Sequence, residues 1–468
     1  MICQSYIELD RSDPLFGERL KFLRNSKKQE YLVYLVADRA GGKCPNIMPI
    51  IPKIVVFFTV AAAGILFVGC FKTNTKPHNS ADTSFLPDRG ILYVLSDSGL
   101  QKIDASSGVR DWLCQAISGS SPLDYSSGNI YSGGLTTMAA INYQTGVINW
   151  LNLIPREPDN SGITDYCRTA FQDSLVYYTK GTGVFYGDAL LYCAYQDNGQ
   201  IIWTNQIDSN NYNLTSHFNG IPYVANGNVL TLTRNYYNNF QITAFDAATG
   251  RLAWNSPQND SLTAELHVTN NYIISATSSF AYCYSSKDGS LVWQTDLQFP
   301  PFSAPNSTST TFLDGNNLIV CRNYNGPTNL IRELNATTGQ MMNTFELDVP
   351  EAYGFWEYGY NAGMLYTLNL ITEGTAANSD SADVVAFDLG SRSSKWKYNY
   401  SHVSGVGMVI TNNNVIVPSG INDGTGFHTQ VTFLDLDGRF VKTVSYAGTV
   451  GNRLMYVDSA GVVYKQAD

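Results

Sequence analysis

The chain has 468 residues, a formal net charge of −10, and only 15% charged against 13% aromatic residues. That length can bury a sizeable core, as one large β domain or two to three smaller domains. No basic stripe is available to neutralise phosphates, which argues against a nucleic-acid partner.

The first informative segment is residues 54 to 69, IVVFFTVAAAGILFVG, apolar apart from Thr59, preceded by Lys53 and followed by Cys70. A membrane-spanning helix needs roughly 20 apolar residues, more than this run supplies. A short apolar core behind a positive charge, ending in small residues, predicts an export signal over 48–69. Leu66-Phe67-Val68-Gly69-Cys70 resembles a bacterial lipobox, with Phe67 where that motif prefers Leu, and predicts lipidation of Cys70. An uncleaved anchor helix is the alternative, and both place the remainder outside the cytoplasm. Signals of this kind begin at the initiator, so Met48 is the expected start and residues 1–47 are expected to be a mis-called upstream extension. The first 69 residues hold nine Lys/Arg and six Asp/Glu, leaving 20 basic and 33 acidic residues, a net of −13. That charge suits a soluble domain rather than one lying flat on anionic lipid. Residues 70–89, rich in Thr, Asn, Ser and Pro, are expected to form a flexible tether.

From residue 90 onward a repeat appears when the chain is aligned on a Gly followed four residues later by Trp. The pairs are Gly108 and Trp112, Gly146 and Trp150, Gly199 and Trp203, Gly250 and Trp254, and Gly289 and Trp293. Three degenerate copies follow: Gly339 leading to Asn343, Gly390 leading to Trp396, and Gly438 leading to Lys442. The anchors lie 38, 53, 51, 39, 50, 51 and 48 residues apart, and six of the seven Trp sit at or near this position. Before the anchor an apolar strand ends in Asp or Asn in the clearest copies, at Asp104, Asn142, Asp246 and Asn335. That side chain can accept backbone N–H bonds and fix the turn, while the Gly supplies positive φ. A second hairpin precedes the first, so each unit of about 40–50 residues holds four short strands, the size of a propeller blade.

Ile242-Thr243-Ala244-Phe245-Asp246-Ala247-Ala248-Thr249-Gly250-Arg251-Leu252-Ala253-Trp254 resembles the consensus of the pyrroloquinoline-quinone-type (PQQ-like) repeat family. The resemblance covers about residues 90 to 466. It implies an all-β fold, a β-propeller of eight four-stranded blades with seven or nine as the other counts, in which each Trp packs between blades. Both ends of the repeat region carry a bare strand pair, Ile91–Leu95 with Leu100–Asp104 and Leu454–Val457 with Val462–Tyr464. A closing blade shared by N- and C-terminal strands is expected, because it removes open edges.

Quinone-dependent dehydrogenases of this family carry a vicinal Cys pair and a Ca²⁺ held by Glu and Asn, and no adjacent Cys pair occurs here. Cys193 and Cys283 hold the same strand position in non-adjacent blades, too far apart for a disulfide, and are expected to be buried thiols. A disulfide among the other cysteines stays open. His217, His267 and His402 precede first strands without metal-ligand spacing. The acidic segments Asp159–Gly162 and Asn378–Asp383 lack the spacing of a complete Ca²⁺ loop. No cofactor and no metal are therefore expected. The candidate recognition segment is Phe355, Trp356, Tyr358 and Tyr360, aromatic rings in a blade-opening stretch that could stack on a sugar or anchor a peptide; packing between inner strands is the competing role.

The sequence thus predicts an exported, lipid-anchored β-propeller of the bacterial envelope, at the outer rather than the inner membrane. It is expected to act as a monomeric binding scaffold for a protein or glycan. The resemblance extends to the propeller lipoprotein of the outer-membrane β-barrel assembly machinery, which implies a scaffold role without cofactor. A propeller enzyme, quinoprotein or glycan-active, with its site at the channel mouth is the alternative.

Overall fold

The computed structural model describes residues 90–465 apart from 97, 118–121, 134–136, 155–167, 181–189, 207–216, 235–239, 258–265, 278, 300–308, 323–327, 349–354, 372–380, 402–406, 423–426 and 448–452. Before them it describes only the strands Gln4–Tyr6, Arg19–Arg24, Tyr31–Val36 and Phe71–Lys72. Met1–Phe67 and Val68–Asp468 are separate compact units. The first contains a three-stranded antiparallel sheet in chain order. The apolar run 54–69 and Cys70 lie outside the described residues.

The second unit is a β-propeller. Seven blades, each a four-stranded antiparallel sheet, follow one another. They span Leu123–Leu153, Thr169–Gln206, His217–Asn255, His267–Asp296, Ser309–Asp348, Phe355–Ser401 and Val409–Ala447, and are numbered blades 1 to 7 here. The second and third strands are the most apolar, with burial runs such as 0–1% for Val229, Leu230 and Leu232, and they supply most of the core. First strands of successive blades touch one another at the inside of the ring. Fourth strands alternate exposed and half-buried positions and form the outer wall.

Blade 8 closes the ring as a composite. Arg453–Val457 supplies its first strand, and Ile91–Ser96, Gly99–Asp104 and Arg110–Cys114 supply the other three, with Met455 opposite Tyr93. The expected sharing of a sheet by the two ends of the repeat region is therefore what the chain does, and the blade count is eight. Two additions extend this sheet. Val463–Lys465 pairs inside the first strand, and Phe71–Lys72, within the expected tether, pairs with the outer strand.

The repeat motif now has a physical meaning. Each turn Asp or Asn accepts the backbone N–H groups that follow it, as Asp104 does from Ser106 at 2.9 Å and Ser107 at 2.8 Å. The turn Gly then sits at φ near +70°, for example +69° at Gly250. It must also be Gly because the Trp of the preceding blade lies on it. A Cβ on Gly146, Gly199, Gly250, Gly289, Gly339 or Gly438 would come within 2.7 Å of Trp112, Trp150, Trp203, Trp254, Trp293 or Trp396 respectively. In four of the six the indole N–H then donates to a turn carbonyl of that next blade, as from Trp150 to Gln196 at 2.8 Å and from Trp293 to Ala336 at 3.1 Å, while those of Trp112 and Trp254 are buried without a partner. The residue two beyond the Trp adds a second bond, as Asn152 and Thr295 donate to the carbonyls of Gly199 at 2.8 Å and Gly339 at 2.6 Å. Second-strand tyrosines pack on the same Trp side chains, with ring centroids 5.9–6.0 Å apart at Tyr131–Trp150 and Tyr177–Trp203. Tyr93 and Tyr366 pack on Trp112 and Trp396 in the same way, so part of the chain's tyrosine is inter-blade mortar.

Six of the eight seams carry the Trp–Gly latch. At the seam between blades 5 and 6, Asn343 stands in the Trp position. The degenerate seventh copy, in blade 6, aligns by residue type on Gly390, and the structure corrects that. Arg392, four residues after Asp388 and four before Trp396, occupies the turn position at φ +54°, while Gly390 precedes it without positive φ. Trp and Gly are exchanged together, since without an indole above it the position tolerates a Cβ. Arg392 instead donates to Asn343 Oδ1 at 3.0 Å and lies 5.4 Å from the Phe345 ring centroid. At the seam between blades 7 and 8, Lys442 replaces the Trp and its ammonium lies 4.5 Å over Phe433.

Candidate functional site

Polar side chains on the innermost strands join one blade to the next. Asp124 of blade 1, 9% exposed, is paired with Lys465 of blade 8 and accepts from the Thr169 hydroxyl of blade 2. His267 Nε2 lies 2.7 Å from Thr311 Oγ1 across the seam between blades 4 and 5. Burial lowers the pKa of His267, so the neutral imidazole is favoured at pH 7. The Tyr360 hydroxyl donates to Asp314 Oδ2 at 2.6 Å across the next seam, with its ring stacked on Phe312.

The aromatic run Phe355–Asn361 is the first strand of blade 6, as its blade-opening position suggests. Tyr358 is 6% exposed and packs in the core between blades 5 and 6 with Cys321, Leu365, Val385 and Phe387. Burial raises its pKa well above the usual phenol range. Tyr360 is half-buried and pinned by Asp314. Of the four candidate residues, these two are thus engaged between inner strands. The side chains of Phe355 and Trp356 lie outside the described residues, although the backbone of Phe355 pairs with Asn369 on the second strand.

That pairing leads to a cluster the sequence did not reveal. Asn369, Asp383 and Asn399 stand opposite one another across three strands of blade 6. Asp383, 4% exposed, accepts from Asn399 Nδ2 at 2.9 Å and pairs with Lys397 Nζ at 2.5 Å. Asp383 ends the acidic segment considered as a Ca²⁺ loop, and Lys397 supplies its positive charge. Asn369 is 1% exposed, and both its Nδ2 and its Oδ1 lack a hydrogen-bond partner, as does the Thr367 hydroxyl two residues away. The visible clue was a polar residue in an apolar second strand, Met364–Ile371, where hydroxyls are common and a carboxamide is unusual.

The seam between blades 4 and 5 is polar in a different way. Arg332, 5% exposed, donates to the carbonyls of Leu297 at 2.8 Å and Gln298 at 3.3 Å, and its guanidinium lies 4.7 Å over Phe299. Desolvation lowers the pKa of this guanidinium, and carbonyl bonding accounts for its retention there.

Cys193, Cys283 and Cys321 are buried thiols, and burial pushes the first two up to about 12. Cys114 is disulfide-bonded, which resolves the disulfide left open by the sequence. His78 and His402 and the segment Asp159–Gly162 lie outside the described residues, as do the side chains of His217 and His428. Among the described residues no group of three or more His, Cys, Asp or Glu could hold a metal ion.

Comparison with known proteins agrees with this architecture. The family model described as outer membrane protein assembly factor BamB matches residues 139–398. No curated protein gives a significant match. Among solved structures, BamB from Moraxella catarrhalis is similar at 15% identity and a TM-score of 0.50, covering 75% of this chain and 97% of that one. Apo AztD from Citrobacter koseri is similar at 12% identity and 0.53, covering 81% and 100%. The dihydro-heme d1 dehydrogenase NirN is similar at 8% identity and 0.55, covering 82% and 80%. At such identities the likeness is one of fold.

Proposed function

Because this chain belongs to the family of outer membrane protein assembly factor BamB, we propose that it is an extracytoplasmic scaffold of the bacterial cell envelope. It is lipidated at Cys70, held by that lipid alone, and sits at the outer rather than the inner membrane. It works as a monomer without cofactor and presents a preformed ring to a protein or glycan partner.

The family match carries this reading, and two features support it. A disulfide at Cys114 fits an oxidising compartment outside the cytoplasm. A ring whose blades are latched by packing and hydrogen bonds is preorganised, so little ordering cost is incurred on binding. The backbone of Phe355 and Trp356 opens blade 6 next to Asn369, and these two rings remain the proposed anchors for the partner. The enzymatic alternative rests on likeness of fold to a dehydrogenase, and fold does not carry chemistry across.

The test is affinity capture with the full chain from its native envelope, with intact mass measured on the extracted bait. A chain beginning at Cys70 plus acyl chains, recovering a specific envelope protein or glycan, is expected. A soluble product starting at Met1, or a bait that recovers nothing above control, would sink the reading.

A further inference from the structure

Closed propellers open, when they do, at one seam, and the local chemistry decides which. At a Trp–Gly seam, opening strips a large ring of its packing and, at four of the six, breaks an indole hydrogen bond. The seam between blades 5 and 6 has neither to lose. Its outer rim is held by Arg392 with Asn343 and Phe345, at positions where a guanidinium and a carboxamide are readily rehydrated. Its interior holds Asn369 and Thr367, whose polar atoms are buried without hydrogen-bond partners. A buried unmet polar group is penalised only while water is excluded, and this seam holds three such atoms where every other seam holds fewer among the described residues, so admitting water costs least here. The other seam without a Trp, between blades 7 and 8, differs. Both seams have an apolar core, but this one holds a single unmet buried atom, the Tyr446 hydroxyl, against three between blades 5 and 6.

From this we propose that the seam between blades 5 and 6 is a built-in opening point of the ring, which parts locally while the latched seams stay shut. When it parts, water reaches Asn369 and Thr367, and Cys321, Tyr358 and the base of the Phe355–Trp356 stretch become accessible. The opening is a property of the fold alone and stands or falls independently of any partner.

Three thiols report on three seams. Cys193 faces the seam between blades 2 and 3, Cys283 that between blades 4 and 5, and Cys321 that between blades 5 and 6. All three are 0% exposed, so each reacts only through an opening. The experiment treats the native full chain with a small maleimide and follows each cysteine-bearing peptide by mass spectrometry. Cys321 is expected to react at least roughly tenfold faster than Cys193 and Cys283, the size of effect that one unmet buried polar group produces. Arg392→Gly, which suits the positive φ of that turn, should speed Cys321 further and leave the other two unchanged. Asn369→Leu, which removes the benefit of wetting, should slow Cys321 alone. Cys321 reacting no faster than the other two would overturn the proposal. So would Arg392→Gly accelerating all three together, which signals global unfolding. Should either variant fail to fold, the ratio of the three rates in the unaltered chain still decides.

Discussion

The seams on the two sides of blade 5 are neighbours built from different chemistry. Towards blade 4, Trp293 lies on Gly339, its N–H meets the Ala336 carbonyl, and the buried Arg332 spends its donors on Leu297 and Gln298. Towards blade 6, a carboxamide faces a guanidinium at the rim, and an amide with no partner lies within. The repeat is therefore a rule about pairs. A Trp in one blade requires a Gly in the next, and where the Trp is lost the Gly is free to become Arg. Burying polarity costs least where donors meet acceptors, as Arg332 meets the Leu297 and Gln298 carbonyls and Asn369 meets none.

The contrast is most sharply tested by deleting the latch. Trp293→Ala should lower stability by about 3–5 kcal/mol, through lost burial and the cavity left behind. Asn343→Ala, at the equivalent position one blade on, should cost no more than about 2 kcal/mol, the usual worth of its two hydrogen bonds, to Arg392 and Glu333. Urea denaturation of both variants measures the difference. Equal losses would mean that the Trp contributes no more than the polar contact that replaces it.

A second pair tests the turn position. Gly339→Ala should cost about 2–4 kcal/mol, because a Cβ is strained at φ +72° and also collides with Trp293. Arg392→Ala keeps an L side chain at the same backbone conformation and meets no indole, so its loss should stay within about 1 kcal/mol. Melting temperatures of the two variants rank them.

Acid provides the mildest probe, and it acts on the seam between blades 4 and 5. The folded-state pKa of His267 is depressed, first by desolvation, against an unfolded value near 6.5. Between those two values the unfolded chain binds the extra proton, so stability falls as pH drops below about 6.5 and recovers above it. Replacing His267 with Gln should flatten this limb of the stability–pH curve. An unchanged slope would place its origin elsewhere.

Much of this architecture was legible because its signals are local. The Asp-to-Gly turn and the Gly-to-Trp spacing each span four residues, and both recur often enough to count blades. The bare strand pairs at Ile91 and Leu454 announced the composite blade, and the common strand position of Cys193 and Cys283 predicted two separate buried thiols. What stayed hidden depends on contacts made one blade away. Trp150 meets Gly199 and Gln196 nearly fifty residues later, and no periodicity reports which Gly a Trp will choose. Alignment by residue type favoured Gly390, because a letter match cannot see that Arg392 holds the turn conformation. Tyr358 and Tyr360 belong to an aromatic, blade-opening stretch that fits either recognition or packing between inner strands, and only inter-blade contacts decide for packing. The short strands at Phe71 and Val463 are too brief to carry a pattern.

The shared sheet of blade 8 imposes an order on the life of the chain. Ile91–Ser96 is among the first repeat strands to emerge from a ribosome or a translocation pore, and its hydrogen-bonding partner Arg453–Val457 is among the last. For the time it takes to deliver the more than 350 residues between them, one edge of that sheet has no mate, and such an edge invites pairing with other chains. Ring closure is consequently a terminal event, which waits for the last strands of the repeat region. A protein built this way must be shielded while it waits, and a chain that stops short of residue 453 would leave a row of sound blades with no means of becoming a circle.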